Sequence, residues 1–151
     1  MPQLNAEQKA SLGSMLGAFI GDSLGSYVEF TRGVDAIDDS IVDEAMSMPG
    51  GGIWKLQPGQ ITDDSELAMC QLRGLLAGEG KFDLFHICLY YREWIVGGFD
   101  IGGTTRNGLA PLADYPEPNP SASHEAARCG PGETSISNGS LMKITPLAVW
   151  A

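Results

Sequence analysis

Leu12-Gly-Ser-Met-Leu-Gly-Ala-Phe-Ile-Gly-Asp-Ser-Leu-Gly25 carries two periodic series at once. Leu12, Met15, Leu16, Phe19 and Ile20 fall at helical spacing, which predicts a helix with one apolar face. Gly13, Gly17, Gly21 and Gly25 recur every four residues and line one side of the same helix. Each glycine in a helix interior costs about 1 kcal/mol relative to alanine. A stripe of them needs a reason, and close approach of a neighbouring backbone is the usual one. Just upstream, Asn5-Ala-Glu-Gln8 has the pattern of a capping box, with Asn5 as N-cap and Gln8 reaching back. The likeness to a membrane GxxxG face is superficial, because Asp22 interrupts a segment too short to span a bilayer.

Further along, the punctuation repeats. Residues 31–60 hold an acidic stretch, Asp35, Asp38, Asp39, Asp43 and Glu44, which reads as partly helical, and Pro49-Gly-Gly-Gly52 ends regular structure. Thr62-Asp-Asp-Ser65 reads as the start of a second helix, whose apolar face would be Ala68, Leu72, Leu75 and Leu76 and which Gly78 and Gly80 end. A third helix follows an Asp83 cap, uses Phe85, Cys88, Leu89 and Trp94, and stops at Gly97-Gly98. A short fourth begins near Thr104 or Thr105. Residues 113–134 contain four of the nine prolines and show no apolar period, so they read as irregular. From Asn138 a last helix would pass through Pro146. No alternating strand pattern occurs, and the fold class is all-α.

Composition narrows the function classes. Nineteen acidic against nine basic residues give a formal net charge of −10. That argues against binding a nucleic-acid backbone or a polybasic contact with membranes, since both need clustered lysine and arginine. Acidity suits cation binding, or simply solubility. Glycine numbers 20, roughly twice its usual share of about 7%. No stretch is apolar enough to cross a bilayer, and the amino end lacks a signal peptide's basic start and apolar run. Cys70, Cys88 and Cys129 form no CxxC pair, which favours a reduced, cytoplasmic setting.

Four short motifs could carry chemistry. Thr62-Asp63-Asp64 offers consecutive oxygen donors, and a hard divalent cation would relieve the repulsion of the adjacent carboxylates. The plainer alternative is a capped helix with acids in its first turn. Gly21-Asp22-Ser-Leu-Gly25 followed by Glu29 places acids at the end of the first helix; Asp22 either serves a site or bonds a neighbouring segment. Ser135-Ile-Ser-Asn-Gly-Ser140 is a run of small residues ahead of a helix, where exposed N–H groups favour anions; an ordinary helix start explains it as well. Asp100-Ile-Gly-Gly-Thr-Thr105 is another glycine-rich lead into a helix.

In order and wording, these blocks resemble the ADP-ribosylglycohydrolase family. The matching stretches are Leu12–Gly25 with Glu29, Gly59-Gln-Ile-Thr-Asp-Asp-Ser65, Asp100-Ile-Gly102 with Thr104-Thr105, and Asn138-Gly-Ser-Leu-Met-Lys-Ile-Thr-Pro-Leu-Ala148. The family includes enzymes acting on ADP-ribosylated arginine or serine, the nitrogenase-reactivating glycohydrolase and the J1 crystallins. The resemblance implies a compact multi-helix fold with two metal ions, usually Mg²⁺ and sometimes Mn²⁺. It implies Thr62, Asp63 and Asp64 as metal ligands and Glu29 as the acid on a segment that gates the substrate. Ser135, Ile136, Ser137, Asn138 and Gly139 would cradle the diphosphate of ADP-ribose, and Gly102 would lie in a segment lining the cleft. Asp63 would also sit beside the substrate, and Asp64 or Glu29 would assist proton transfer. Lys143 stands where relatives often carry arginine, a change expected to matter little. The implied reaction is hydrolysis of the glycosidic bond between ADP-ribose and a protein side chain.

One part of the family pattern is absent. A second metal motif, Asp-x-Asp followed by Thr or Ser, is expected near the carboxyl end. The acids after Glu66 are Glu79, Asp83, Glu93, Asp100, Asp114, Glu117, Glu125 and Glu133, and no two form it. Residues 1–151 therefore read as the amino-terminal portion of a single domain of this kind, incomplete at the carboxyl end. The chain would be a fragment, one part of a split enzyme completed by a second chain, or a short ADP-ribose-binding or crystallin-like protein. Expected partners are an ADP-ribosylated protein or conjugate, and a second copy or a complementing carboxyl-terminal chain.

Overall fold

A computed structural model describes residues 3–31, 33, 36–114, 116–129 and 134–151. Asp35, Pro131 and Glu133, read above as parts of the acidic and proline-rich stretches, lie outside the described residues. The chain divides into two units, Met1–Thr62 and Asp63–Ala151. Every regular element is helical, and the described residues contain no strand beyond one isolated Gly51–Leu56 bridge. No helix among them is long and apolar enough to cross a membrane.

The first unit holds α1 (Ala6–Val28) and α2 (Asp39–Ala45). The capping box forms as expected: Gln8 N–H donates to Asn5 Oδ1 at 2.8 Å, and Asn5 N–H to Gln8 Oε1 at 3.0 Å. The glycine stripe differs from expectation. A methyl group built on Gly13, Gly17, Gly21 or Gly25 meets no atom within 4 Å. Leu12, Leu16 and Ile20 beside it are about half exposed, and the buried residues of α1 are Ser23 and Ser26. Close approach occurs instead at the helix end. Gly52, at φ +64°, puts its Cα hydrogen where a Cβ would lie 2.9 Å from the Ser26 carbonyl oxygen. The turn that carries Gly52 is closed by Gly51 and Leu56, whose N–H groups donate to each other's carbonyls at 2.8 and 2.9 Å. In α2, Asp38 caps the helix, accepting from Ser40 Oγ at 2.7 Å and Ile41 N–H at 3.0 Å. Those bonds, the Ser40 one foremost, hold its carboxyl below the usual range.

The second unit holds α3 (Asp63–Ala77), α4 (Leu84–Gly97), α5 (Gly103–Leu109), a 3-10 turn over Ala110–Leu112, α6 (Pro120–Cys129) and α7 (Thr145–Trp150). Its core joins Leu67, Cys70 and Leu75 of α3 to Ile87, Cys88 and Tyr91 of α4, with Leu109 and Leu112. A fully buried leucine such as Leu67 contributes about 1.5–3 kcal/mol over an exposed one. Helices α3 and α4 come together at Gly74, where a Cβ would stand 2.5 Å from Ile87 Cα. The helix starts match the sequence reading, and the faces match in part: Ala68, Leu75 and Cys88 are buried as expected, and Leu72, Leu89 and Trp94 are partly buried. Leu76 is 69% exposed, and Phe85 is also exposed, whereas Leu67, Cys70, Ile87 and Tyr91 point inward.

Two segments correct the sequence reading. The proline-rich region contains α6, because Pro120 begins the helix rather than breaking it. At the first helical position its missing N–H costs nothing, and Asn119 Oδ1 caps the turn by accepting from Ala122 N–H at 3.1 Å. The last helix does not start at Asn138. Asn138 to Ile144 form turns, and α7 begins at Thr145 with Pro146 in its first turn. A proline passed mid-helix would clash with the preceding turn, so the helix starts around it.

Candidate functional site

In the first unit, Asp22 projects from α1 and holds Thr62. Its Oδ2 accepts from Thr62 N–H at 2.9 Å and its Oδ1 from Thr62 Oγ1 at 2.5 Å. The helix brings Asp22 to a neighbouring segment, as one of the two readings foresaw. Thr62 is nearly fully buried, and its hydroxyl, donating to Asp22, keeps its oxygen lone pairs for another partner. Glu29 terminates α1 and accepts from the Trp54 indole N–H at 3.4 Å.

In the second unit, Asp63 and Asp64 open α3, where the helix dipole favours negative charge. Asp63 is buried and Asp64 partly so. Downstream, Glu66 accepts from the Trp94 indole N–H at 2.7 Å, tying α3 to α4. Among the described residues, no three His, Cys, Asp or Glu side chains gather as a metal-ligating group. The donor chemistry of Asp63 and Asp64, with the Thr62 hydroxyl next to them in sequence, still suits a hard divalent ion. These oxygens are fewer than an octahedral ion takes, which leaves room for water or for further ligands.

The third cluster lies wholly within the second unit. Thr104 of α5 and Ser137 share a hydrogen bond of 2.9 Å across 33 residues of sequence. Ser135 Oγ donates to Ser137 Oγ at 3.0 Å and accepts from Ser137 N–H at 3.2 Å. Gly139 packs so tightly here that a Cβ would lie 2.9 Å from Thr104 Oγ1 and 3.2 Å from Thr105 Oγ1. These hydroxyls form one wall of a cavity of about 360 Å³, which Lys143 also lines, and Ile87, Cys88, Tyr91, Leu109 and Leu112 form an apolar wall.

The structure thus brings Ser135, Ser137 and Gly139 together but separates their neighbours. Ile136 is fully exposed, and Ile136, Asn138 and Gly102 do not line the cavity. Asn138 instead sets the following turn, its carbonyl accepting from Leu141 N–H at 2.7 Å and Met142 N–H at 3.0 Å. Gly102 is the N-cap of α5. Turns intervene before α7, so that helix's dipole does not serve the loop, which lies instead against Thr104 in the first turn of α5. The cation lining this cavity is Lys143, whose Nζ lies 5.6 Å from the centroid of the Tyr91 ring. Burial lowers the Lys143 pKa, while the charges of Asp63 and Asp64 pull it back up.

Sequence reasoning gave no role to Tyr91, and its only signal was a polar aromatic on a buried helix face. The Tyr91 hydroxyl is buried and has no hydrogen-bond partner among the described residues, and burial raises its pKa. Burial likewise pushes the Cys70 thiol up to about 11 and raises that of Cys88, which favours the protonated form of both.

The profile of the ADP-ribosylglycohydrolase family matches residues 4–151. The ADP-ribosyl-dinitrogen reductase glycohydrolase of Rhodospirillum rubrum is 35% identical over 142 residues, covering 92% of this chain and 44% of that protein. An ADP-ribosylarginine hydrolase of Serratia proteamaculans is 33% identical over 118 residues, covering 72% of this chain and 30% of its own length. A solved structure described as an ADP-ribosylglycohydrolase-related protein complex superposes with a TM-score of 0.70 at 32% identity, over 96% of this chain and 44% of that one. The chain therefore spans less than half the length of these relatives. With the profile covering nearly every residue and the helical fold shared, the chain belongs to the ADP-ribosylglycohydrolase family.

Proposed function

We propose that this chain forms part of a divalent-metal-dependent glycohydrolase that cleaves the bond between ADP-ribose and a protein side chain or a related conjugate. The observation that carries this reading is the junction of Thr104 with Ser137 and Gly139. It forms a hydroxyl-lined wall beside Lys143, suited to the oxygens and charge of a diphosphate. Thr62, Asp63 and Asp64 would hold the ion, Mg²⁺ or Mn²⁺ by their oxygen-donor chemistry. Bound there, it would orient a water and stabilise charge on the ribose. Asp64 or Glu29 then moves the proton as the glycosidic bond breaks with oxocarbenium character.

The test is release of ADP-ribose from a modified arginine or serine peptide, followed by mass spectrometry. Release should require divalent metal and disappear in Asp63→Ala and Asp64→Ala. Release that persists in excess chelator sinks the metal reading. A second reading is ADP-ribose binding without turnover, which the hydroxyl-lined cavity beside Lys143 would support by itself. It predicts calorimetric heat for ADP-ribose with no release, and a heat of zero removes it.

A further inference from the structure

We propose that Trp54 is a positioning residue for Glu29. This rests on the reading of Glu29 as a proton-moving group of the site. Several independent contacts, all within the first unit, converge on the end of α1. The Trp54 indole N–H reaches the Glu29 carboxylate at 3.4 Å across 25 residues of sequence. The Phe30 ring meets the Trp54 ring edge to face, with centroids 6.5 Å apart and planes at 70°. Phe30 adopts φ +62°, a left-handed conformation that a bulky side chain rarely takes, and this accompanies that contact.

The turn that presents Trp54 is itself fixed. The paired Gly51 and Leu56 hydrogen bonds close it, and Gly52 seats it against the Ser26 carbonyl, where no side chain would fit. Lys55, the residue after Trp54, is also held at positive φ, +54°. Ile53 and Phe30 are more than 60% exposed and Trp54 is 39% exposed. The Phe30 ring after α1 and the Trp54 ring in the turn thus meet at the surface beside Glu29. The Glu29 carboxylate stands at the end of α1. One N–H donor on a braced ring restricts it, which is what proton transfer to a reacting oxygen requires. Because the bond is long and solvent-exposed, removing it should alter rate far more than stability.

The experiment labels the full chain with 5-fluorotryptophan and follows its three tryptophans, Trp54, Trp94 and Trp150, by fluorine NMR. Trp54→Phe, which keeps a ring for Phe30 but deletes the N–H, assigns the Trp54 resonance. Glu29→Gln should then move that resonance and leave the other two in place, with no ligand present. In the ADP-ribose release assay with MgCl₂, Trp54→Phe should lower kcat roughly tenfold with KM unchanged, while its melting temperature stays at the wild-type value. A Trp54 resonance unmoved by Glu29→Gln overturns the contact. Wild-type kcat in Trp54→Phe overturns the positioning role. No release from the wild-type chain, alone or mixed with the carboxyl-terminal half of one of its relatives, overturns the hydrolase reading instead, and the resonance shift still reports on the contact.

Discussion

Helix α1 carries four glycines and helix α3 one, Gly74, and they serve different physical purposes. In α3, Gly74 lets the Ile87 backbone come within contact of the helix, and a methyl group there would overlap Ile87 Cα at 2.5 Å. In α1, four glycines at perfect helical spacing face open space, and what fixes the helix is its carboxyl-terminal end. There Asp22 holds Thr62, Ser23 and Ser26 are buried, and Gly52 packs on the Ser26 carbonyl. Spacing alone does not distinguish the two cases. Only the neighbour does.

The comparison breaks most directly at Gly74. Gly74→Ala forces two backbones apart, and overpacking of this kind costs about 1–3 kcal/mol, offset only slightly by alanine's helix propensity. The expected outcome is the largest drop in thermal midpoint of any alanine substitution at a helical glycine in this chain. An unchanged midpoint would mean that α3 and α4 do not approach as described.

Asp22→Ala tests the end that fixes α1. It removes both acceptors of Thr62 and leaves a buried N–H and hydroxyl to find others. Unsatisfied buried polar groups cost about 1–3 kcal/mol each before relaxation, so a loss near 2 kcal/mol is expected in urea unfolding. Asp22→Asn keeps one acceptor oxygen and should recover part of it. If both variants melt like the wild type, the Asp22–Thr62 bonds do not fix α1.

Helix starts were legible because caps are local: Asn5 with Gln8 and Asp83 ahead of α4 sit within three residues of the groups they satisfy. Faces were less so. Nothing near Leu76 says that it points to solvent while Leu67 does not; α4 decides that from another part of the chain. The helix α6 was hidden by its own composition, since Pro120 at a first helical position looks, in sequence, like a proline that forbids helix. For the candidate site, the residue types at 62–64 and 135–139 were readable. The Thr104–Ser137 junction was not, because the partners are 33 residues apart and small polar residues leave no periodic trace. Family resemblance pointed to both segments without saying how they touch.

Gly17→Ala is the counterpart of Gly74→Ala and has the opposite sign. With no atom within 4 Å of the new methyl group, the substitution gains helix propensity and restricts the unfolded chain, so stability should rise by about 0.5–1 kcal/mol. A fall instead would show that something packs on the stripe in solution, such as a second copy. Sedimentation at rising concentration, alone and with Gly17→Ala, separates that case from a simple misjudgement of propensity.

The smallest effect expected is at the start of α4, and it depends on pH. Asp83 Oδ1 accepts from Phe85 N–H at 2.9 Å and its Oδ2 lies 2.9 Å from His86 Nδ1. The Phe85 bond foremost, then His86, holds the carboxyl below its ordinary range. A carboxyl whose folded pKa is depressed contributes stability above its unfolded pKa, about 3.9. That contribution fades as pH falls through the lower folded value. Asp83→Asn keeps an acceptor for Phe85 but no charge for the helix dipole. Its midpoint should therefore sit slightly below wild type at neutral pH, and the gap should close on acidification. A gap that stays constant from neutral pH down to where wild type itself unfolds would assign the cap's benefit to the hydrogen bond alone and none of it to the charge.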